Sequence, residues 1–222
     1  MIIDILSLFP QYFESPFEQS IIKRAREKGL IEIRMVNIRD FASRKHNKVD
    51  DRPSGGGSGM VMMPGPLCEA IRSKKKEDSY VIYLTPQGKL LTTSDCDRFS
   101  KMAHLIIVCG HYEGIDQRVI DKEVDEEISI GNYVLSSGGP AAIVMIDSIS
   151  RLIPEVLGNQ DSITQDSFYK KGFKGPQYTR PEQYEGLSVP EELKSGHHAE
   201  IEKWRKKQAT NKEKEYEPKF ID

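Results

Sequence analysis

Three apolar runs in this chain are each followed by a short polar loop that contains glycine. The runs cover residues 79–84, 104–109 and 128–135. The loops are TPQG at 85–88, CGHYEG at 109–114 and SSGG at 136–139. Helical patterns lie between the runs, and this alternation predicts an α/β fold with a mostly parallel sheet. The loops then leave the sheet at one edge, where proteins of this class bind ligands.

The glycines in these loops would let backbone groups approach a ligand closely, because no side chain intervenes. One such loop alone has a simpler interpretation, in which the glycine only ends the strand. Three loops on one edge favour a pocket that could surround a nucleoside-sized molecule.

The remaining segments agree with this fold class. Strands are predicted over residues 1–6 and 31–36. Helices are predicted over Pro16–Lys28, 94–103 and 140–153, and again from Pro190 onward. The stretch from Ala42 to Pro66 shows no periodicity and is predicted to be a long functional loop. Residues 156–189 are predicted to be a linker that is ordered only with a partner.

Length and composition restrict the protein class. A chain of 222 residues with 37% apolar residues suits one large domain plus a small one. The net charge of −2 gives no general sign of a nucleic-acid partner. The odd number of cysteines (Cys68, Cys96 and Cys109), with no CxxC, predicts reduced thiols in a cytoplasmic protein. We expect no signal peptide and no membrane span.

The absence of phosphate-binding motifs narrows the ligand class. No GxGxxG follows the first strand, and no GxxxxGK[ST] occurs. The GGGSG run at 55–59 lacks the lysine that would contact a phosphate. A nucleoside cofactor without phosphate therefore fits best, and S-adenosylmethionine is one of several such molecules.

Ten short motifs, in the same order, resemble the bacterial tRNA (guanine-N1)-methyltransferase (TrmD) family of the SPOUT superfamily. They are DILSLFP at 4–10, NIRDF at 37–41, VDDRP-x-GGG-x-GM at 49–60, LTPQG at 84–88, CGHYEGIDQRV at 109–119, DEEISIGNYVLS at 125–136, IDSISRLIP at 146–154, DSF at 166–168, YTRPE at 178–182 and SGHHAEIEKWR at 195–205. The resemblance covers nearly the whole chain.

The resemblance implies a SPOUT-type α/β domain with a deep trefoil knot and a small C-terminal helical domain. Knots are otherwise nearly absent from proteins, so local patterns could not reveal one. The implied domains are 1–155 for catalysis and cofactor binding, 156–178 for an interdomain linker, and 179–222 for tRNA binding. The implied protein is a homodimer whose active sites are shared between subunits.

The implied reaction moves a methyl group from S-adenosylmethionine to N1 of the guanosine immediately 3′ of the tRNA anticodon, with a preference for a preceding guanosine. Removing the N1 proton needs a base, and charge developing on O6 needs a cation. The family motifs assign these roles to Asp166 and Arg151. Without the motifs, Asp166 would be interpreted as a turn or cap residue and Arg151 as a salt-bridge residue.

The resemblance also assigns binding residues. The implied cofactor contacts are Tyr83, Leu84, Thr85, Gly110, Tyr112, Glu113, Ile130, Gly131, Asn132, Tyr133, Val134 and Leu135. The implied readers of the preceding guanosine are Asp50, Gly57 and Gly59. The implied contacts to the tRNA backbone are His197, His198, Lys203, Arg205 and Lys206. No metal ligands are predicted, and assistance by a divalent ion such as magnesium is left open.

The chain departs from the family pattern at four places. Ser54 replaces a tyrosine, His111 an arginine and Asn132 an aspartate, and SSGGPAA at 136–142 replaces SGGELPA. The last change motivates an alternative function, a catalytically degenerate RNA-binding homologue. A hydrolase that uses His111 is disfavoured, because no nucleophile lies in a recognisable elbow motif.

Overall fold

The computed structural model describes residues 1–43, 47–158, 166–168 and 172–215. The chain divides into two compact units, Met1–Gly158 and Asn159–Asp222. The finer domain limits implied by the family resemblance stay a prediction.

The first unit is built on a five-stranded parallel sheet. Its strands are β1 (Ile2–Ser7), β2 (Glu32–Asn37), β5 (Ser79–Leu90), β6 (His104–Cys109) and β7 (Glu126–Ser129). The strand order is β2-β1-β6-β5-β7, and every neighbouring pair is parallel. A hairpin of β3 (Asp50–Asp51) and β4 (Val61–Met62) lies outside this sheet. The predicted α/β class with a parallel sheet is confirmed.

Helices cover both faces of the sheet. They are α1 (Glu14–Phe17), α2 (Ser20–Glu27), α3 (Pro64–Lys74), α4 (Thr93–Ser100), α5 (Gln117–Glu123) and α6 (Gly138–Ser150), with short 3₁₀ helices at Pro10–Phe13 and Ile38–Phe41. Strand β6 is buried along its whole length. Its side chains alternate between two cores, with Ile107 in one and Ile106 in the other, as expected for a central strand with helices on both faces.

Four predicted elements are wrong in detail. The helix predicted over Pro16–Lys28 is two helices, because Ser20 adopts a left-handed φ of +51° where a continuous helix would need a negative one. The stretch predicted as one long loop from Ala42 to Pro66 contains the β3–β4 hairpin and the start of α3. The predicted linker 156–189 contains a second hairpin, in which β8 (Gln183–Tyr184) pairs with β9 (Leu187–Ser188).

The fourth correction concerns the apolar run 128–135. Strand β7 ends at Ser129, and Gly131 has a positive φ of +159°. The Tyr133 amide then donates to the Gly131 carbonyl at 2.9 Å, which closes a tight turn. The run therefore leaves the sheet before the SSGG loop.

The second unit contains the β8–β9 hairpin, α7 (Glu191–Lys194) and α8 (His198–Glu215). The helices predicted after Pro190 are confirmed. Inside this unit the Tyr178 and Trp204 rings pack edge to face with centroids 6.2 Å apart. The three cysteines are free, as predicted. Among the residues that the structure describes, no helix is long and apolar enough to cross a membrane.

Candidate cofactor and RNA site

A cavity of about 290 Å³ lies beside residues 83–87 of β5 and the carboxyl ends of β6 and β7. It is lined by the three loops that the sequence singles out and by the first turns of α5 and α6. The predicted cofactor residues that line it are Tyr83, Leu84, Thr85, Gly110, Tyr112, Glu113, Ile130, Gly131, Tyr133, Val134 and Leu135. Asn132, also predicted, is not among the lining residues.

The TPQG segment reaches the cavity in an unexpected way. It lies inside β5 and bulges from it, since Leu84 and Lys89 both pair with Ile128 of β7. The four residues between them are therefore displaced from the strand pairing. Thr85, Pro86 and Gln87 line the cavity as a result.

The end of β6 packs closely against the Tyr83 ring at Gly110. A Cβ there would lie 3.0 Å from both Cε2 and Oη of Tyr83. Burial raises the pKa of the Tyr83 hydroxyl above its ordinary value. Burial also raises the pKa of the Cys109 thiol, the last residue of β6. A protonated thiol deep in the core is unreactive, so Cys109 has a packing role.

Residues 130–135 leave apolar side chains in solvent beside the cavity. Val134 is 83% exposed and Tyr133 is 55% exposed. The Ser129 hydroxyl donates to the Gly131 carbonyl at 3.0 Å and fixes the start of this segment. Exposed apolar groups at the rim of a cavity commonly mark a surface that a ligand or another chain covers.

The charged residues that line the cavity are acidic and therefore favour a cationic ligand. Among the described residues that line it, the formally charged ones are Glu113 and Glu127. His111 also lines it, and burial, followed by the nearby Arg39 guanidinium, lowers the pKa of this imidazole. A neutral imidazole and two carboxylates disfavour a phosphate and favour a sulfonium or ammonium group. The composition of the cavity thus fits S-adenosylmethionine, which carries a sulfonium group and an ammonium group.

The loop predicted to read a guanosine is attached to this cavity by backbone bonds. Asp50 pairs with Met62 in the β3–β4 hairpin. The Met62 amide donates to the Gly114 carbonyl at 3.0 Å, and the Asp116 amide donates to the Met62 carbonyl at 3.0 Å. Gly57 and Gly59 lie in the same hairpin and have positive φ values of +117° and +78°. The sequence indicated a functional loop here, but it did not indicate that this loop is bonded to a loop of the cofactor cavity.

The two predicted catalytic residues lie in different units. Arg151 follows α6 at the end of the first unit, and its amide donates to the Asp147 carbonyl at 3.4 Å. Asp166 is in the second unit, half-buried, with its Oδ1 atom 3.7 Å from Lys174 Nζ. Their roles as cation and base stay predictions.

The predicted tRNA contacts lie on or directly before α8. His197, His198, Lys203, Arg205 and Lys206 are exposed to solvent. Lys206 Nζ forms an ion pair with Glu202 at 2.8 Å. A second cavity of about 300 Å³ in this unit is lined by Arg205, Arg180 and Tyr178, among others. Cations beside an exposed aromatic ring are the usual features of a nucleic-acid contact.

Sequence reasoning missed several lining residues. They are Pro86, Gln87, His111, Gly114, Ile115, Gln117, Ile120, Glu127, Ile128, Ser129, Ser136, Ser137, Gly138 and Ala141. Most lie inside the quoted motifs, so counting whole loops instead of single residues would have found them. Within the described parts of the chain, no cluster of three or more His, Cys, Asp or Glu side chains could hold a metal ion.

Comparison with known proteins gives matches along the whole chain. The model of the family described as tRNA (Guanine-1)-methyltransferase TrmD matches residues 1–222. A tRNA (guanine-N(1)-)-methyltransferase of Protochlamydia amoebophila (strain UWE25) is 56% identical over 221 residues, which are 100% of both chains. A Dictyoglomus turgidum (strain DSM 6724 / Z-1310) protein of the same name is 50% identical over 210 residues, 95% of this chain and 85% of that one.

A longer relative shows the same similarity. The tRNA (guanine-N(1)-)-methyltransferase of Chlamydia pneumoniae is 52% identical over 218 residues, which are 98% of this chain. This chain spans 60% of that protein's length.

Proposed function

The chain belongs to the tRNA (guanine-1)-methyltransferase TrmD family, and we infer that it transfers a methyl group from S-adenosylmethionine to N1 of a guanosine in tRNA. Its parallel α/β domain is the SPOUT type of that family. The observation that carries the inference is the cavity beside residues 83–87 of β5 and the ends of β6 and β7, which is formed by the family's own motifs. Relatives at 50% and 56% identity are named as this enzyme.

In the proposed methyl transfer, the cofactor and the cavity residues have separate roles. S-adenosylmethionine, when bound, supplies an electrophilic methyl group. The Glu113 carboxylate would bind its cationic amino group, and Tyr83, Gly110 and Gly131 would border its nucleoside part. The remaining requirement on the cavity is alignment, because in-line transfer depends on the positions of three atoms.

The guanine needs a base and a cation. We propose that the Asp166 carboxylate accepts the N1 proton as the bond from N1 to the methyl carbon forms and the bond from sulfur to that carbon breaks. The Arg151 guanidinium would stabilise the charge that develops on O6. In support, both groups are present at the family's motif positions in IDSISRLIP and DSF.

The substrate is proposed to be the guanosine immediately 3′ of the anticodon, preceded by another guanosine. A carboxylate accepts hydrogen bonds from the Watson–Crick edge of guanine, which makes Asp50 a suitable reader. The cations of α8 would bind the RNA backbone. The same proposal includes three domains, with the limits 1–155, 156–178 and 179–222. It also includes the trefoil knot and a cytoplasmic location. A role for magnesium has no support among the described residues.

A homodimer is proposed on the basis of exposed apolar side chains on α6 and beside it. Tyr12 is 52% exposed and Val144 is 47% exposed. The Tyr12 ring packs beside Gly139, since a Cβ there would lie 3.2 Å from Tyr12 Cδ1. A second copy of the chain that covers this surface would bring its own groups to the cavity.

The deciding experiment measures transfer of a labelled methyl group to two anticodon stem-loop RNAs. One carries guanosine 3′ of the anticodon preceded by guanosine, and the other has that preceding base changed. Label in the first RNA alone supports both the reaction and the dinucleotide preference. Label in neither RNA, although the cofactor binds, would instead support the degenerate RNA-binding homologue.

A further inference from the structure

Gly59 and Glu113 are in direct contact, although they belong to different parts of the proposed site. Gly59 lies in the guanosine-reading hairpin, and Glu113 lines the cofactor cavity. A Cβ on Gly59 would lie 2.5 Å from Glu113 Cγ and 2.8 Å from its Cδ, and closer still to Oε1. These separations are shorter than side chains tolerate, so one of the two residues would have to move.

Glu113 could not relieve this contact by moving its carboxylate alone. The position of Cγ is set by the first side-chain torsion, so the whole side chain would have to change rotamer. The backbone has little freedom to help, because the Glu113 amide donates to the Met60 carbonyl at 3.0 Å. Glu113 is one of the residues that line the cavity, so a change of its rotamer would alter the cavity wall.

The β3–β4 hairpin carries the proposed base reader and is also hydrogen-bonded to the cofactor loop. Strand β4 pairs with Asp50 on one side through Met62. On its other side Met62 forms a parallel bridge with Ile115, two residues after Glu113. A displacement of the cofactor loop would therefore be transmitted to Asp50 through one short strand.

We propose that Gly59 is a positioning residue for the cofactor: its lack of a side chain lets Glu113 keep its present rotamer beside the cavity, and this contact couples the guanosine-reading hairpin to cofactor binding. The proposal rests on the proposed function, since it takes S-adenosylmethionine as the ligand. It adds a role in cofactor affinity to a residue assigned to RNA reading.

Titration calorimetry of the full chain with S-adenosylmethionine, without RNA, tests the proposal. We expect Gly59→Ala to weaken cofactor binding by about tenfold, equal to about 1.4 kcal/mol. Gly56→Ala is the matched control. Its φ of +87° is close to the +78° of Gly59, but a Cβ there meets nothing within 4 Å. We expect this control to change the affinity for the cofactor by less than about twofold. It shares the backbone strain of Gly59→Ala but not the contact with Glu113.

The double variant Gly59→Ala/Glu113→Ala separates the contact from general damage to the hairpin. Glu113→Ala removes the three atoms that lie nearest to the new Cβ, which are Cγ, Cδ and Oε1 of Glu113. If the contact carries the effect, Gly59→Ala changes the affinity by less than about twofold in the Glu113→Ala background. The same tenfold loss in both backgrounds would overturn the proposal, as would equal effects of Gly59→Ala and Gly56→Ala. No cofactor binding by the unaltered protein would instead overturn the proposed function.

Discussion

The backbone amide of Gly138 donates a 2.9 Å hydrogen bond to the carbonyl oxygen of Gly110. Gly138 begins α6 and Gly110 follows β6, so the bond joins the start of the helix to a loop of the cavity. A Cβ on Gly138 would lie 2.8 Å from Cys109 Cα and 3.0 Å from Gly110 N. Both atoms are backbone, so no side-chain rotation could relieve the contact.

Gly138→Ala is therefore expected to destabilise the protein by about 1–3 kcal/mol, the usual cost of overpacking a tight site. Urea unfolding measures the change. Gly65→Ala is the control, because Gly65 also lies in a first helical turn but a Cβ there meets nothing within 4 Å. We expect this control to leave stability unchanged or to raise it by up to about 1 kcal/mol. Equal losses in both variants would contradict the packing argument.

Asp166→Asn tests the proposed base. The amide cannot accept the N1 proton as a carboxylate does, so turnover is expected to fall by about 10²–10⁴-fold. Cofactor affinity, measured by calorimetry, should stay within about twofold of the unaltered protein, because Asp166 is assigned to the guanine. Near-normal turnover in this variant would show that another group is the base.

Asp50→Ala tests the reading of the preceding guanosine. Loss of the carboxylate should lower kcat/KM for the stem-loop with the preceding guanosine by about 10–100-fold, since a specific base contact is worth about 1–3 kcal/mol. The stem-loop with a changed base should be affected less. A uniform loss with both RNAs would mean that Asp50 supports the hairpin and does not read the base.

His111→Gln tests the lowered pKa of a cavity residue. Burial lowers the pKa of His111 below its ordinary 6.5, so in the window just below 6.5 the unfolded chain binds the proton and the folded chain does not. Folding stability must then fall as the pH drops through this window. The free energy of unfolding should be measured at about pH 7.5 and about pH 5.5. Its decrease between these two pH values should be smaller in the variant than in the unaltered protein. Equal losses would mean that His111 titrates normally.

Val144→Glu tests the proposed dimer. A charge on the exposed face of α6 should disfavour burial against a second copy, because a desolvated carboxylate without a partner is costly. Light scattering after size exclusion should show a shift from dimer toward monomer. The control is Leu187→Glu, which alters an exposed apolar side chain in the other unit. A dimer that persists in the Val144 variant would place the interface elsewhere.

Much of the fold followed from local patterns. The run 104–109 is apolar at nearly every position, and the structure buries all of it as the central strand. Pro140 lies in the first turn of α6, where a missing amide hydrogen costs nothing. Such features depend on neighbours in sequence, so composition and periodicity are enough to predict them.

Other features could not be predicted in this way. The break at Ser20 follows a helical pattern that looks continuous, and the TPQG segment forms a bulge whose existence depends on a partner strand. The site shows the same division. Motifs identified the cavity loops, but no local pattern indicated that Asn132 would lie outside the lining residues.

By itself, the amino-acid sequence determined the α/β class, the positions of four of the five parallel strands, and the family through motifs spread along the chain. The tertiary structure decided which motifs touch each other. Gly138 meets Gly110 because α6 begins beside the end of β6. Gly59 meets Glu113 because Met62 of the β3–β4 hairpin is bonded to the loop after β6. Contacts of this kind depend on the path of the whole chain, and hydrophobic periodicity within one segment carries no information about them.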